Sequence, residues 1–273
     1  MAIIYDPGSA PTDPAIDLSP KPWPPSFIEI AFLQDQGTRP KQEDSVDGDV
    51  VGGGEWGFVG DGIARRPAGE YAAELGRKLM RTWCHSQFPA EDTPSAEVEK
   101  RMHDQVVATN EEIRREAWAD STKSGMGATF VWFLRVGKVG YVESGGDSRA
   151  YFSNKKYLLR LTEDQVILIT DPVTNLPTNA VTSALGALRD TYQNAFSLYD
   201  KMEDEGFVLL CSDGLYKVVS DEEICDILAL GGTAKDLCQK LMDAVKAKGK
   251  AKLDNVTILI IRYQRPAAAP TAA

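Results

Sequence analysis

The sequence predicts an α+β fold in which stacked, mostly antiparallel sheets are flanked by pairs of helices. Three observations predict it. Segments rich in β-branched and aromatic residues come in sets, long amphipathic segments come in pairs, and the regular strand–helix alternation that builds a parallel sheet is missing.

The strand signals lie at 27–33, 56–59, 129–136, 139–143, 150–152, 157–161, 207–211 and 256–263. Gly137-Lys138 and Asn154-Lys155 supply tight turns, so 129–161 reads as one antiparallel meander. Helical periodicity marks 67–86, with Ala72, Leu75, Leu79 and Trp83 on one face, and 95–119, with Val98, Met102, Val106 and Ile113. Pro67 and Pro94-Ser95 suit helix openings. A second pair, 221–228 and 233–247, separates the strands at 207–211 and 256–263. Residues 1–25 carry Pro7, Pro11, Pro14, Pro20, Pro22, Pro24 and Pro25, a density that excludes helix and interior strand. They read as a flexible leader, solvated or partner-binding, ahead of one domain at 26–264 and a short tail at 265–273.

Composition narrows the chemistry. A formal charge of −10 over 273 residues argues against nucleic acid and anionic membrane as partners. The longest lysine-rich stretch, 246–252, reads as a solvated helix end. No run of eighteen apolar residues and no signal peptide is evident, so the expectation is a cytoplasmic protein; a monomer is expected separately. Cys84, Cys211, Cys225 and Cys238 are too dispersed for a zinc knuckle or a disulfide framework. With only His85 and His103, both in helical segments, carboxylate chemistry becomes the default.

Glu43-Asp44, Asp61-Gly62, Asp213-Gly214 and Asp254-Asn255 each stand where a strand begins or ends. Any one of them could be an ordinary turn. Two of them, though, sit at the tips of apolar strands, 58–62 and 208–214, which can bring carboxylates together as oxygen ligands for hard divalent cations.

At these residues the sequence resembles the metal-dependent protein phosphatases of type 2C, the PPM family. Arg39-Pro40-Lys41-Gln42-Glu43-Asp44-Ser45 resembles the opening R-x-x-N-E-D-S, and 58–62 the strand ending in D-G. Gly127-Ala128-Thr129, Gly146-Asp147-Ser148-Arg149-Ala150 and Leu161-Thr162-Glu163-Asp164 follow in order, then Cys211-Ser212-Asp213-Gly214-Leu215 and Asp254-Asn255-Val256-Thr257. The resemblance implies a four-layer α-β-β-α sandwich and a bacterial-like protein serine/threonine phosphatase that uses two Mn²⁺ or Mg²⁺ ions. It implies one ion held by Asp61, Asp213 and Asp254, and the other by Glu43, Asp61 and the Gly62 carbonyl. Asp44 would orient the waters, Arg39 would grip the substrate phosphate, and Asn255 would position the Asp254 loop. Two such ions about 3.5–4 Å apart lower the pKa of a water for in-line attack on phosphorus. The partner implied is a phosphorylated protein, in opposition to a serine/threonine kinase.

Several positions depart from the family pattern. Ile63 stands where many members have histidine or methionine, removing an imidazole proton donor. Arg65 and Arg66 follow, either as extra phosphate contacts or as plain surface residues. Ser124 replaces a carboxylate associated with a third metal, so that site is expected to be weak or absent. Gln165 replaces a histidine, and 166–181 is short for the flap region that influences substrate choice. Cys211 lies on an apolar strand without an arginine loop, which argues against a cysteine nucleophile. Gly146-Asp147-Ser148-Arg149 reads as a turn that supports the metal loops. Ile63 and Ser124 keep open a second class of function, a pseudophosphatase that binds phosphoproteins without turnover.

Overall fold

The structure is a computed structural model, and it describes residues 4–5, 27–52, 54–63, 66–170, 177–186, 195–199, 205–249 and 251–264. In chain order the strands are β1 (Ile4–Tyr5), β2 (Phe27–Asp35), β3 (Asp44–Val51), β4 (Gly54–Gly62), β5 (Ala128–Val136), β6 (Val139–Gly145), β7 (Arg149–Ser153), β8 (Leu158–Arg160), β9 (Val166–Thr170), β10 (Pro177–Val181), β11 (Ala195–Tyr199), β12 (Glu205–Cys211) and β13 (Val256–Gln264). The α-helices are α1 (Gly69–Gln87), α2 (Ser95–Ala119), α3 (Asp213–Tyr216), α4 (Asp221–Ala229) and α5 (Ala234–Ala247).

Two antiparallel sheets form the centre. One runs β1-β8-β7-β12-β13-β2 and the other β11-β6-β5-β4-β3, with β9 and β10 forming a separate hairpin. Between the sheets lies an apolar layer that includes Val59, Val131, Phe133, Phe152, Leu210 and Leu259. Outside the second sheet, α1 and α2 cover Trp56, Phe58, Phe130 and Trp132. Outside the first, α4 and α5 cover Leu209, Cys211, Ile258 and Ile260. Alternate residues of each strand therefore feed different layers, as a sheet covered on both faces requires. At roughly 1.5–3 kcal/mol for each large apolar side chain fully buried, these three layers hold the strand ends in register.

The helices follow the sequence closely. Ser220 and Glu223 form a reciprocal cap at the start of α4, and Thr233 caps α5. Val98, Met102, Val106 and Ile113 are all buried. On α1 the buried stripe is turned slightly from expectation: Ala72, Gly76, Met80, Trp83 and Cys84 face inward, while Leu75 and Leu79 lie at its margin.

One expectation needs correction, and one strand lies where the sequence assigns none. The meander at 129–161 is two hairpins on different sheets: β5 pairs with β6, the chain crosses at residues 146–148, and β7 then pairs with β8 and β12. The segment 44–51, rich in aspartate, is a strand. Its polar side chains are answered by α1, where Arg77 and Arg81 reach Asp47 at 2.5 and 2.9 Å. Two leader residues add β1 beside β8; the rest of 1–25, and the tail 265–273, fall outside the described residues. Among the described residues no helix is long and apolar enough to cross a membrane.

Candidate active site

The four acidic positions meet at one end of the two sheets. Asp44 opens β3, and its cross-strand partner is Asp61 on β4. Asp213 follows β12, and Asp254 precedes β13, the strand beside β12. Hydrogen bonds stitch the two sheets together here. Ser212 Oγ and Thr257 Oγ1 both donate to Asp44 Oδ2, at 2.8 and 2.7 Å. Asn255 accepts from the Glu43 N–H at 2.8 Å and donates to the Gln36 and Lys41 carbonyls at 2.8 and 3.1 Å. Asn255 thus positions the Glu43 loop against the Asp254 loop.

Two glycines permit the closeness. A Cβ at Gly62 would stand 2.5 Å from the Gly69 carbonyl carbon and 2.9 Å from the Glu43 oxygen. At Gly214 it would stand 2.0 Å from the Asn255 oxygen, so α3 could not abut the Asp254 loop.

The electrostatics are strained. Burial pushes the Asp44 carboxyl up to about 6, against the pull of its two hydroxyl donors. Asp61 is raised well above the usual carboxylate range, by burial first and then by repulsion from Asp44, Asp213, Asp147 and Asp254. Asp213 is raised as well, by burial, although Lys217 opposes the shift. Like charges directly across a strand pair are destabilising. Asp44 Oδ1 and Asp213 Oδ1 are buried with no hydrogen-bond partner.

The chain's own cations compensate in part. Arg39 holds Asp254 at 2.5 Å, Lys41 lies 3.3 Å from Glu43, and Lys217 bonds Asp213 while standing 3.4 Å from Asp147. As the side chains stand, no three acidic, histidine or cysteine groups among the described residues enclose a single ion position. The donor set is nonetheless all hard oxygen, with two orphaned buried carboxylate oxygens and a glycine-lined approach. That chemistry fits Mg²⁺ or Mn²⁺. Beside it opens a cavity of about 550 Å³ lined by Arg39, Asp213, Lys217, Lys252 and Asp254.

Two contributors were not legible as site residues. Asp147, read only as part of a turn, adds to the repulsion on Asp61 and accepts through its carbonyl from Tyr216 Oη at 2.9 Å. Lys217 follows Asp213 by four residues, the spacing that places two helical side chains together, and this was its one available signal. Arg149 links not to Asp147 but to Asp164, at 2.8 and 2.6 Å, and its guanidinium stacks 3.5 Å from the Tyr216 ring. Ile63 donates its N–H to the Gly127 carbonyl at 3.0 Å, and Ser124 is exposed. Arg66 is exposed, while Arg65 lies outside the described residues. Cys211 is buried and free, its thiol pKa raised by burial, which suits no nucleophile.

The family model of protein phosphatase 2C matches residues 197–253. The serine/threonine phosphatase stp of Listeria welshimeri is 27% identical over 218 residues, covering 75% of this chain and 82% of that protein. The chain is therefore similar to serine/threonine phosphatases of the protein phosphatase 2C type. The serine/threonine protein phosphatase PstP of Mycobacterium tuberculosis is 26% identical over 249 residues, covering 85% of this chain and 44% of that protein. Among solved structures, a bacterial serine phosphatase superposes with a TM-score of 0.75 at 23% identity, over 89% of this chain and 100% of that one. The catalytic domain of PstP in complex with two manganese ions gives 0.68 at 24% identity, over 87% and 98%. These likenesses carry the fold, and the four-layer arrangement is the one expected from the sequence.

Proposed function

We propose that the chain hydrolyses phosphoserine and phosphothreonine in proteins, with Glu43, Asp61, the Gly62 carbonyl, Asp213 and Asp254 holding two Mn²⁺ or Mg²⁺ ions. The observation that carries this reading is the acid pair Asp44–Asp61, set directly across two strands and crowded by Asp213. Such a cluster is costly unless cations neutralise it. The names of the relatives, and the manganese ions in the PstP structure, support the same assignment. Two such ions would supply a water acidic enough to serve as nucleophile near neutral pH.

The chain's own residues do the rest. Ser212 and Thr257 fix Asp44 through Oδ2, leaving Oδ1 to orient the attacking water. Arg39, 40% exposed at the cavity, turns its planar fork to the substrate phosphate when Asp254 is engaged elsewhere. With Ile63 where an imidazole could stand, the leaving oxygen takes its proton from solvent. A phosphoprotein-binding module without turnover is the competing reading, favoured by Lys217 and Arg39 already holding Asp213 and Asp254.

Hydrolysis of p-nitrophenyl phosphate and of a phosphothreonine peptide separates the two. The expected result is turnover that requires added Mn²⁺, disappears with chelator, and falls about a hundredfold or more in Asp213→Asn, the scale for losing one charge-stabilising group. No Mn²⁺-dependent turnover in the parent chain would leave the binding module.

A further inference from the structure

The cavity beside Asp213 and Asp254 is larger than one phosphate group needs. Its volume of about 550 Å³ lies within the ~300–1,000 Å³ of sites that enclose a whole small molecule. Three cations line it, Arg39, Lys217 and Lys252, on a chain whose formal charge is −10. The lysine-rich stretch at 246–252 divides accordingly. Lys246 pairs with Asp35 at 2.8 Å and Lys248 with Glu223 at 2.5 Å, whereas Lys252 stands exposed at the cavity.

We propose that this cavity selects phosphopeptides bearing a further negative charge beside the phosphorylated residue, through Lys217 and Lys252. The recognised chemistry is anionic oxygen, which an acidic side chain and a second phosphate both present. The proposal rests on the phosphatase reading for where the first phosphate sits. If Asp213 and Asp254 are committed to divalent cations, Arg39 and Lys217 lose the carboxylates they hold here. Arg39 then accompanies the first phosphate. Lys217, half-exposed with Asp147 at 3.4 Å and the Tyr216 ring centre at 6.0 Å, and Lys252 then face the flanking residue. A lysine or arginine flank would meet like charge, and a neutral flank would leave the ammonium groups to water. Opposite charge across a partly enclosed cavity favours the acidic flank.

Binding of labelled peptides to the Mn²⁺-loaded full chain tests this by fluorescence anisotropy. Each peptide carries a non-hydrolysable phosphonate in place of phosphothreonine, flanked by glutamate, glutamine, lysine or a second phosphothreonine. The glutamate peptide should bind about fivefold tighter than the glutamine peptide, the scale of one or two screened ion pairs. The lysine peptide should bind more weakly than either, and the preference should shrink in high salt. The glutamate and second-phosphate arms tell which anion is the better fit. In the Lys217→Gln/Lys252→Gln double variant the preference should fall to about one. Lys252→Glu alone, at an exposed position, should invert it. Equal binding of all four peptides, or a preference that survives in both variants, overturns the proposal. Turnover is measured separately: an inert chain that still prefers acidic flanks would sink the phosphatase reading alone, and an active one without preference would sink this proposal alone.

Discussion

Strand β4 carries an acid near each end, and the two ends treat it differently. Near its start, Glu55 is fully buried and ion-paired with Arg135 on β5, whose guanidinium lies 4.3 Å from the Tyr263 ring centre. At its other end Asp61 faces Asp44, and the strongest charges acting on it, those of Asp44, Asp213, Asp147 and Asp254, are all negative. One end has its countercharge on the neighbouring strand, and the other gathers charges of one sign. A buried charge with a built-in partner reads as structure; the same charge crowded by its own kind reads as a site.

The contrast breaks most severely at Glu55. Glu55→Leu strands Arg135 in the interior and should cost about 3–5 kcal/mol in urea unfolding. A loss below 1 kcal/mol would mean the pair is hydrated and the contrast is overstated.

Glu143 sharpens the comparison as an intermediate case. It is buried under α2, with His103 Nδ1 at 3.1 Å, and its carboxyl is pushed up to about 8 by burial and by Asp104. The fold keeps this proton while the unfolded chain releases it near the ordinary 4.5, so stability drains as pH rises from about 4.5 to about 8. Glu143→Gln removes that drain. The variant should gain on the parent chain by at least about 1.4 kcal/mol between pH 5 and pH 8, the worth of a single pKa unit. A constant difference across that range would place the proton elsewhere.

Asp61→Asn should give the smallest shift, with the opposite sign to Glu55→Leu. Without metal the variant should be more stable than the parent by about 1 kcal/mol, the upper end for a like-charged cross-strand pair, or about 2–4 °C in midpoint. Added Mn²⁺ should reverse the ranking, because only the parent gains by binding it. A variant that melts below the parent in chelator would show that Asp61 is already neutralised within the chain.

Much of this was legible in the sequence, for reasons that differ by residue. The apolar strands ending in Asp61 and Asp213 announce themselves by composition, and α2 by a stripe that all turned inward. The strand Asp44–Val51 hid because its aspartates look like a loop until Arg77 and Arg81 are placed over it, and no local pattern supplies that partner. Hairpin periodicity is the same whichever sheet a hairpin joins, so the crossing at 146–148 could not be read from 129–161 alone. The carboxylates of the site were each visible as turn-like residues, and only the register Asp44–Asp61 and the bonds from Ser212 and Thr257 bring them together. Lys217 was missed because its one signal, the four-residue spacing from Asp213, is weak across so short a helix, and its second partner Asp147 lies far off in the sequence.

The position of β13 has a consequence for how such a chain is made. This strand lies between β12 and β2, and among the described residues β2 has no other neighbour in its sheet. On the ribosome β2 therefore waits for residues 256–264, roughly ten to forty seconds at ~5–20 residues per second. Asp254 emerges just ahead of them, so an interrupted nascent chain would lack both the strand that closes the sheet and the last of the clustered acids.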